Sequence, residues 1–251
     1  MINVIINGSA GKMGKIVASL IKEEKDMQVV AGIDPNIYDD PDFPIFPSIQ
    51  ECDVKADVII DFSVSYVVPF LLDYSVKNNI PLVLCTTGLS EEVIEKVKES
   101  SEKVAILKSA NMSVGVNLLM KLLKTAAKDL YDSGFDIEIV EKHHNQKLDA
   151  PSGTALALAD SINEEFNNEY EYIYDRSQRR DKRSPKEIGI SAIRGGTIVG
   201  EHDVIFAGKD EIITFSHTAL SKSIFAVGAI KAAKFLAGKG PGLYTMKEVL
   251  E

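Results

Sequence analysis

The segment Gly8-Ser9-Ala10-Gly11-Lys12-Met13-Gly14 follows the apolar run Asn3–Ile6 and opens directly into the helix-type pattern Lys15-Ile16-Val17-Ala18-Ser19-Leu20. A strand that turns through spaced glycines into a helix brings backbone N–H groups and the positive end of a helix dipole to one point, where a pyrophosphate can sit. Side chains at that turn would obstruct the ligand. The GxxGxxG spacing is one residue off the plain dinucleotide fingerprint, and its competing reading is a tight strand-to-helix turn that needs glycine for positive φ.

The rest of the first hundred residues agrees with a parallel α/β arrangement. Strand-type runs at Asn3–Ile6, Val29–Ile33, Val58–Asp61, Leu82–Cys85 and Ala105–Lys108 alternate with helical patterns at Gly11–Lys22, Val67–Lys77 and Glu91–Ser101, the signature of βαβ units. Between Asp34 and Pro47, Pro35, Pro41, Pro44 and Pro47 with Asp39, Asp40 and Asp42 read as a surface loop. After Asn117 the rhythm changes. A helix over Leu118–Tyr131 precedes a strand over Asp136–His143, a loop and a helix from Ser152 onward, Ala155–Phe166. Strands over Glu187–Arg194, His202–Ala207 and Glu211–His217 then follow with no helix between them, which predicts an α+β domain with a mixed or antiparallel sheet. A last helix over Ser223–Leu236 ends at Gly238, and the tail after it is expected to pack on the first domain. The expected division is 1–114 with 220–251 for a dinucleotide-binding domain and 115–219 for a substrate and oligomerisation domain.

Composition narrows the partners. In 251 residues, 28 Lys and Arg stand against 37 Asp and Glu, a net charge of -9 that would repel a nucleic-acid backbone. No apolar run approaches the roughly 20 residues of a membrane span, and Met1–Asn7 offers no basic leader before Gly8. Cys52 and Cys85 are 33 positions apart and form no metal-type pair, which suits a reduced cytoplasm. No nucleic acid, membrane or metal is expected.

Asp34 stands 20 residues after Gly14 at the end of the second strand, where an acidic side chain in dinucleotide-binding folds bonds the adenosine ribose hydroxyls. The alternative is a turn-initiating aspartate before Pro35. No Lys or Arg occurs between Asp34 and Lys55, while five acids do, so a 2′-phosphate meets like charge. Lys12 is the nearby cation that offsets this. NADH is therefore expected to be preferred over NADPH, with dual use left open.

A second concentration of chemistry lies at Glu141-Lys142-His143-His144-Asn145-Gln146-Lys147-Leu148-Asp149-Ala150-Pro151-Ser152-Gly153-Thr154. Histidine exchanges protons near neutrality and Lys147 is both a cation and an acid. Ser152 or Thr154 can cap the helix that follows, whose first N–H groups suit a carboxylate. Three other readings compete. His143, His144 and Asp149 could hold a metal, although adjacent residues of an extended chain point to opposite faces. Ser152 as a hydrolase nucleophile lacks the GxSxG context. A purely structural cap is the third. The basic run Arg176-Ser177-Gln178-Arg179-Arg180-Asp181-Lys182-Arg183 reads as a solvated loop, or else as an electrostatic lure for an anionic substrate. Arg194 is expected to serve structure near the site. Two rival functions stand beside an enzyme of this type: a non-catalytic dinucleotide sensor, and an amino-acid dehydrogenase of the same architecture.

Together these segments resemble the 4-hydroxy-tetrahydrodipicolinate reductase family, also called dihydrodipicolinate reductase, over nearly the whole chain. The resemblance rests on the Gly8–Gly14 loop, Asp61-Phe62-Ser63, Thr86-Thr87-Gly88, Asn111-Met112-Ser113-Val114-Gly115-Val116-Asn117 and Glu141 to Ala155. It continues through Ile188-Gly189, Arg194 to His202 and Gly242-Leu243-Tyr244. It implies an NAD(P)H-dependent enzyme of lysine and diaminopimelate biosynthesis that reduces a heterocyclic dicarboxylate. The implied fold is a Rossmann-type domain built from both chain ends, with the middle forming an open mixed sheet that builds a homotetramer. His143 matches the family's proton donor and Lys147 its second acid–base residue. His144, Ser152, Gly153 and Thr154 match substrate-binding positions. Gly8, Ser9, Ala10, Gly11, Lys12, Met13, Asp34, Cys85, Thr86, Thr87, Ser109, Ala110, Asn111 and Met112 match cofactor contacts. Two departures stand out: Cys85 where the family usually has glycine, and Pro35 where some members place arginine after the acid.

Overall fold

The structure, a computed structural model, describes residues 1–36, 42–131 and 133–251. In chain order its elements are β1 (Ile2–Asn7), α1 (Lys12–Ile21), β2 (Met27–Ile33), β3 (Ile45–Phe46), β4 (Val58–Asp61), α2 (Val68–Asn78), β5 (Leu82–Leu84), α3 (Glu91–Ser101), β6 (Ala105–Lys108) and α4 (Val114–Tyr131). There follow β7 (Asp136–His143), α5 (Gly153–Asn163), β8 (Glu171–Ile173), β9 (Glu187–Arg194), β10 (Gly200–Ala207), β11 (Ile212–Ala219), α6 (Ser223–Leu236), β12 (Gly242–Tyr244) and α7 (Met246–Val249). Contacts divide the chain into two compact units, Met1–Val114 with Ser223–Glu251, and Gly115–Lys222.

The first unit is a seven-stranded sheet in the order β12-β6-β5-β4-β1-β2-β3, parallel at every pairing. Its central strands read as unbroken apolar runs because both faces are covered. From β1 and β4, Val4, Ile6, Val58 and Ile60 face a cluster completed by α1 and α6. Ile5 and Ile59 face the opposite cluster, built with α2 and α3. The strand order reverses direction between β1 and β4, and ligands of such sheets bind outside the carboxyl ends of the strands at that point.

The second unit is a five-stranded sheet, β11-β10-β7-β9-β8. β10 runs antiparallel to β7 and β11, whereas β7, β9 and β8 run parallel. The sheet is therefore mixed. One face, carrying Ile137, Ile139, Ile188, Ile190, Val204 and Phe206, is buried with residues of α4 and α5. The fold class expected from sequence is the one observed.

Several boundaries differ. The surface loop expected from Asp34 to Pro47 includes Ile37–Pro41, with Asp39 and Asp40, which lie outside the described residues. Within the rest, Ile45 and Phe46 pair with Gly32 and Ile33 as β3. This two-residue strand is made by its partner, since prolines on both sides leave no local period to read. β8 and β12 are three residues each, too short to show a period, and escaped the sequence reading. The tail after Gly238 adds β12 beside β6 in the first unit.

The basic run is a largely exposed loop in which three arginines are paired. Arg176 is ion-paired with Glu187, and Arg179 reaches Glu171 at 3.4 Å and Glu187 at 3.5 Å. Arg183 bonds Asp136 at 2.8 Å, Glu138 at 3.1 Å and the carbonyls of Ile137 and Glu187. These charges fasten the loop to the sheet.

Candidate functional site

In the first unit the glycine loop is set by close backbone approach. Gly8 has φ +83°, and a Cβ there would lie 2.6 Å from the Phe62 carbonyl oxygen. A Cβ on Gly14 would lie 2.2 Å from the Gly8 carbonyl oxygen and 2.7 Å from the Ser9 Cα. No side chain caps α1 at Gly11, so the positive end of the helix faces the loop bare. Gly8, Gly11 and Asp34 line a cleft of about 510 Å³ whose apolar wall includes Val64, Tyr66 and Phe70. Tyr66 and Phe70 are 73% and 55% exposed. The sequence reading missed this wall; its signal is a pair of aromatics just after β4 on the carboxyl side of the sheet.

Asp34 is 7% exposed. Its Oδ2 accepts from the Ala10 N–H at 3.0 Å, and its Oδ1 accepts from the Asn36 backbone N–H at 3.0 Å. It thus braces the glycine loop and makes the turn that sequence had offered as the alternative. Ser9 is buried, Lys12 is exposed and Met13 packs on the core below the loop. Asp61, at the end of β4, is fully buried. It accepts from Asn7 Nδ2 at 2.8 Å, Ser63 Oγ at 2.6 Å and Thr86 Oγ1 at 2.7 Å, tying together the ends of β1, β4 and β5. Burial pushes its carboxyl up while these bonds pull it down. Thr86 therefore supports the sheet end with its hydroxyl, and Thr87 is exposed. The Cys85 thiol is pushed well above its ordinary range, by burial first and Asp61 second, which disfavours the thiolate at the position that departs from the family's usual glycine. Ser109 and Ala110 lead into buried Asn111 and Met112. Asn111 Oδ1 accepts from the Ser113 N–H at 2.8 Å. The Met112 carbonyl lies so close to Gly228 of α6 that a Cβ there would be 1.7 Å away.

In the second unit the strand β7 alternates strictly, with Ile137, Ile139, Glu141 and His143 on the buried side. Two aliphatics are followed on that face by a carboxylate and an imidazole. Glu141 is fully buried. Its Oε2 accepts from His143 Nδ1 at 2.6 Å and from Arg194 at 2.7 Å, its Oε1 from the other Arg194 nitrogen at 2.7 Å and from the Ser152 N–H at 2.9 Å. Burial alone would raise this carboxyl, but the bonds from Arg194, His143 and Ser152 outweigh it and hold it below its usual range. Arg194 also donates to the Asp149 carbonyl at 2.7 Å. Among the described residues, His143 Nε2 faces Gly200, where a Cβ would come within 3.1 Å. Sequence reading gave Glu141 no role; a charged residue in phase with two core isoleucines is the signal that could have found it.

Lys147 Nζ lies 2.9 Å from Asp149 Oδ1, and the lysine's hydrogen bond holds the Asp149 carboxyl below its usual range. Ser152 is the N-cap of α5: its Oγ accepts from the Ala155 N–H at 3.2 Å. It is 1% exposed, so it supports the helix start from within. Gly153 is exposed at the first turn, Thr154 and His144 are half-buried. No acidic side chain occupies the first turn of α5, which leaves that end open to an anion. This arrangement can hold a carboxylate and deliver a proton beside it.

Ser152 Oγ also meets His202 Nε2 at 3.0 Å. Burial, then the neighbouring His143, lowers His202 to about 4. An unfolded chain protonates this ring first as pH falls below about 6.5, so the stability from keeping it neutral is full above that value and is lost toward the folded pKa. The shift corresponds to roughly 3 kcal/mol. The unfolding free energy of the protein is expected to fall by about that much more than that of His202→Gln between about pH 7 and 4, read from urea unfolding. Parallel curves for the two proteins would contradict the assignment.

Two family descriptions match the chain: "Dihydrodipicolinate reductase, N-terminus" over residues 2–112 and "Dihydrodipicolinate reductase, C-terminus" over residues 115–250. The 4-hydroxy-tetrahydrodipicolinate reductase of Caldanaerobacter subterraneus is 55% identical over 251 residues, covering 100% of this chain and 99% of that protein. The protein of the same name from Clostridium novyi is 50% identical, with the same coverage. Among solved structures, a dipicolinate-bound dihydrodipicolinate reductase from Paenisporosarcina sp. TG-14 is similar with TM-score 0.80 at 24% identity, covering 98% of this chain and 97% of that one.

Proposed function

The chain belongs to the dihydrodipicolinate reductase family, and from that premise we propose that it reduces 4-hydroxy-tetrahydrodipicolinate to tetrahydrodipicolinate with NAD(P)H. The reaction takes up one hydride and one proton and releases one water. Nicotinamide supplies the hydride. The observation that carries the reading is the arrangement around β7: an imidazole braced by a buried carboxylate, a lysine two residues from an aspartate it pairs with, and an open helix start.

The residues divide the labour by their chemistry. Gly8, Gly11 and Gly14 leave room for a pyrophosphate against bare backbone, and the uncapped start of α1 favours its charge. Ser9, Ala10, Lys12 and Met13 complete that loop. Asp34 faces the cleft as a ribose partner, and Val64, Tyr66 and Phe70 give an adenine an apolar surface. Cys85, Thr86, Thr87, Ser109, Ala110, Asn111 and Met112 form the carboxyl-side loops expected to flank the nicotinamide end. On the second unit, Gly153 and Thr154 at the α5 start, with His144, take a substrate carboxylate. Ser152 positions that start. The proton comes from the segment bearing His143 and Lys147, whose charge also balances the dicarboxylate. We further propose a cytoplasmic homotetramer assembled through the second unit's sheet, to be read from solution mass.

The direct test is loss of reduced-nicotinamide absorbance with freshly generated 4-hydroxy-tetrahydrodipicolinate, run with NADH and NADPH in parallel. Substrate-dependent oxidation is expected. Cofactor binding without oxidation would favour the sensor, and reaction with oxo acids and ammonia the amino-acid dehydrogenase. The acids around Asp34 lead to a lower KM for NADH, by about ten-fold if like-charge repulsion of a 2′-phosphate is worth about 1.4 kcal/mol. A ten-fold lower KM for NADPH would overturn the role given to Asp34.

A further inference from the structure

Reduction needs a proton donor whose acidic proton sits on a known atom and whose ring does not turn. On the second unit that condition is met by a residue outside the acid–base set. Glu141 has every acceptor position occupied, by two Arg194 nitrogens, His143 Nδ1 and the Ser152 N–H. The Arg194 fork is bidentate, the arrangement in which guanidinium and carboxylate bind with fixed geometry. Because a carboxylate can only accept, His143 must carry hydrogen at Nδ1, leaving Nε2 as the atom that gains and loses a proton. The same carboxylate holds the first residue before α5, so the ring and the anion-binding helix start are fastened to one group.

We propose that Glu141 is a positioning residue for the reduction: its carboxylate, neutralised by Arg194, fixes the ring of His143 with Nδ1–H inward and registers it against the start of α5. The inference rests on the reading of His143 as part of the proton-delivering segment. Arg194 matters as much as Glu141, since a lone buried carboxylate would compete for the proton. The other titratable groups facing His143 are His202 of β10, whose ring centroid is 5.2 Å away at 75°, and beyond it His217 of β11, which stands opposite His202 in the strand register. Lys147 and Asp149 lie on the loop that follows β7. None of these contacts Nδ1, which Glu141 alone engages among the described residues.

Two measurements test this. In the intact protein with ¹⁵N-labelled histidine, the neutral ring of His143 is expected to carry its hydrogen at Nδ1; a neutral ring protonated at Nε2 instead overturns the proposal. In steady-state kinetics, Glu141→Gln keeps the size but offers one acceptor where four donors converge, and kcat is expected to fall at least about 30-fold. In a His143→Ala background the same substitution is expected to cost less than about three-fold, because it acts through the missing ring. Equal losses in both backgrounds would mean that Glu141 serves only the fold. If the unaltered protein failed to turn over substrate, the reductase reading would fall, while the histidine spectrum would still decide what Glu141 does to the ring.

Discussion

Lys147→Ala is expected to lower kcat/KM by about 10²–10⁴, the range over which a positioned acid–base group accelerates proton transfer. In the structure Lys147 has its side chain 22% exposed and, among the described residues, one partner, Asp149. An ammonium has three donors, so two remain for a substrate carboxylate or a developing charge on the ring. Alanine removes the cation together with the proton. Lys147→Arg keeps the charge but replaces a compact donor by a planar fork whose proton is not released near neutrality; it is expected to recover substrate binding and little turnover. The measurement is steady-state kinetics of both variants across pH. An alanine variant within about three-fold of the original would remove Lys147 from the chemistry, since no positioned acid contributes so little.

Gly14→Ala is expected to have the second large effect. Its added Cβ would meet backbone atoms of Gly8 and Ser9 at 2.2 to 2.9 Å, and backbone cannot step aside as a flexible side chain can. Overpacking of a rigid site costs about 1–3 kcal/mol, occasionally more, and here relief requires opening the glycine loop. NADH affinity should therefore fall by more than about ten-fold, or roughly 1.4 kcal/mol, along with a lower melting temperature. Calorimetric unfolding and titration with NADH read both quantities. Unchanged cofactor affinity would show that the loop does not hold the pyrophosphate. Gly153→Ala is the contrast, because a Cβ there meets nothing within 4 Å, and its folded stability should change little.

How much of this was legible depended on the range of the interaction. Most long strands and helices were found within two residues because period 2 and period 3.6 are local properties of the chain, whereas α4 begins four residues before the expected Leu118 and α5 ends three residues before the expected Phe166. The Gly8–Gly14 loop was legible because a strand, glycines and a helix are adjacent in sequence. Asp34 was read as a ribose partner or as a turn-initiating aspartate, and the structure shows its turn with Asn36 and its bond to Ala10. Ser152 was read both as a cap of the following helix and, from the resemblance, as a substrate-binding position; the structure shows the buried cap. Arg194 was rightly placed near the site, but its fork to Glu141 spans 53 positions and no local pattern announces it. The basic run was read as a solvated loop, and residues 177–182 are exposed; the ion pairs of Arg176, Arg179 and Arg183 could not be read because their acidic partners lie on separate strands.

The sequence by itself determined the parallel sheet and the glycine loop, since each follows from neighbouring residues whose periodicity or spacing fixes local conformation; the mixed character of the second sheet and the roles in the His143–Lys147 segment were expected from the resemblance. Only the tertiary structure decided that Glu141 is a fully satisfied buried carboxylate, that His202 is kept neutral beside it, and that Asp61 joins the ends of three strands. Those outcomes depend on desolvation and on hydrogen bonds between residues about fifty positions apart or across strands, and the free energy of a buried charge is set by which groups the fold brings within 3 Å, not by its place in the chain.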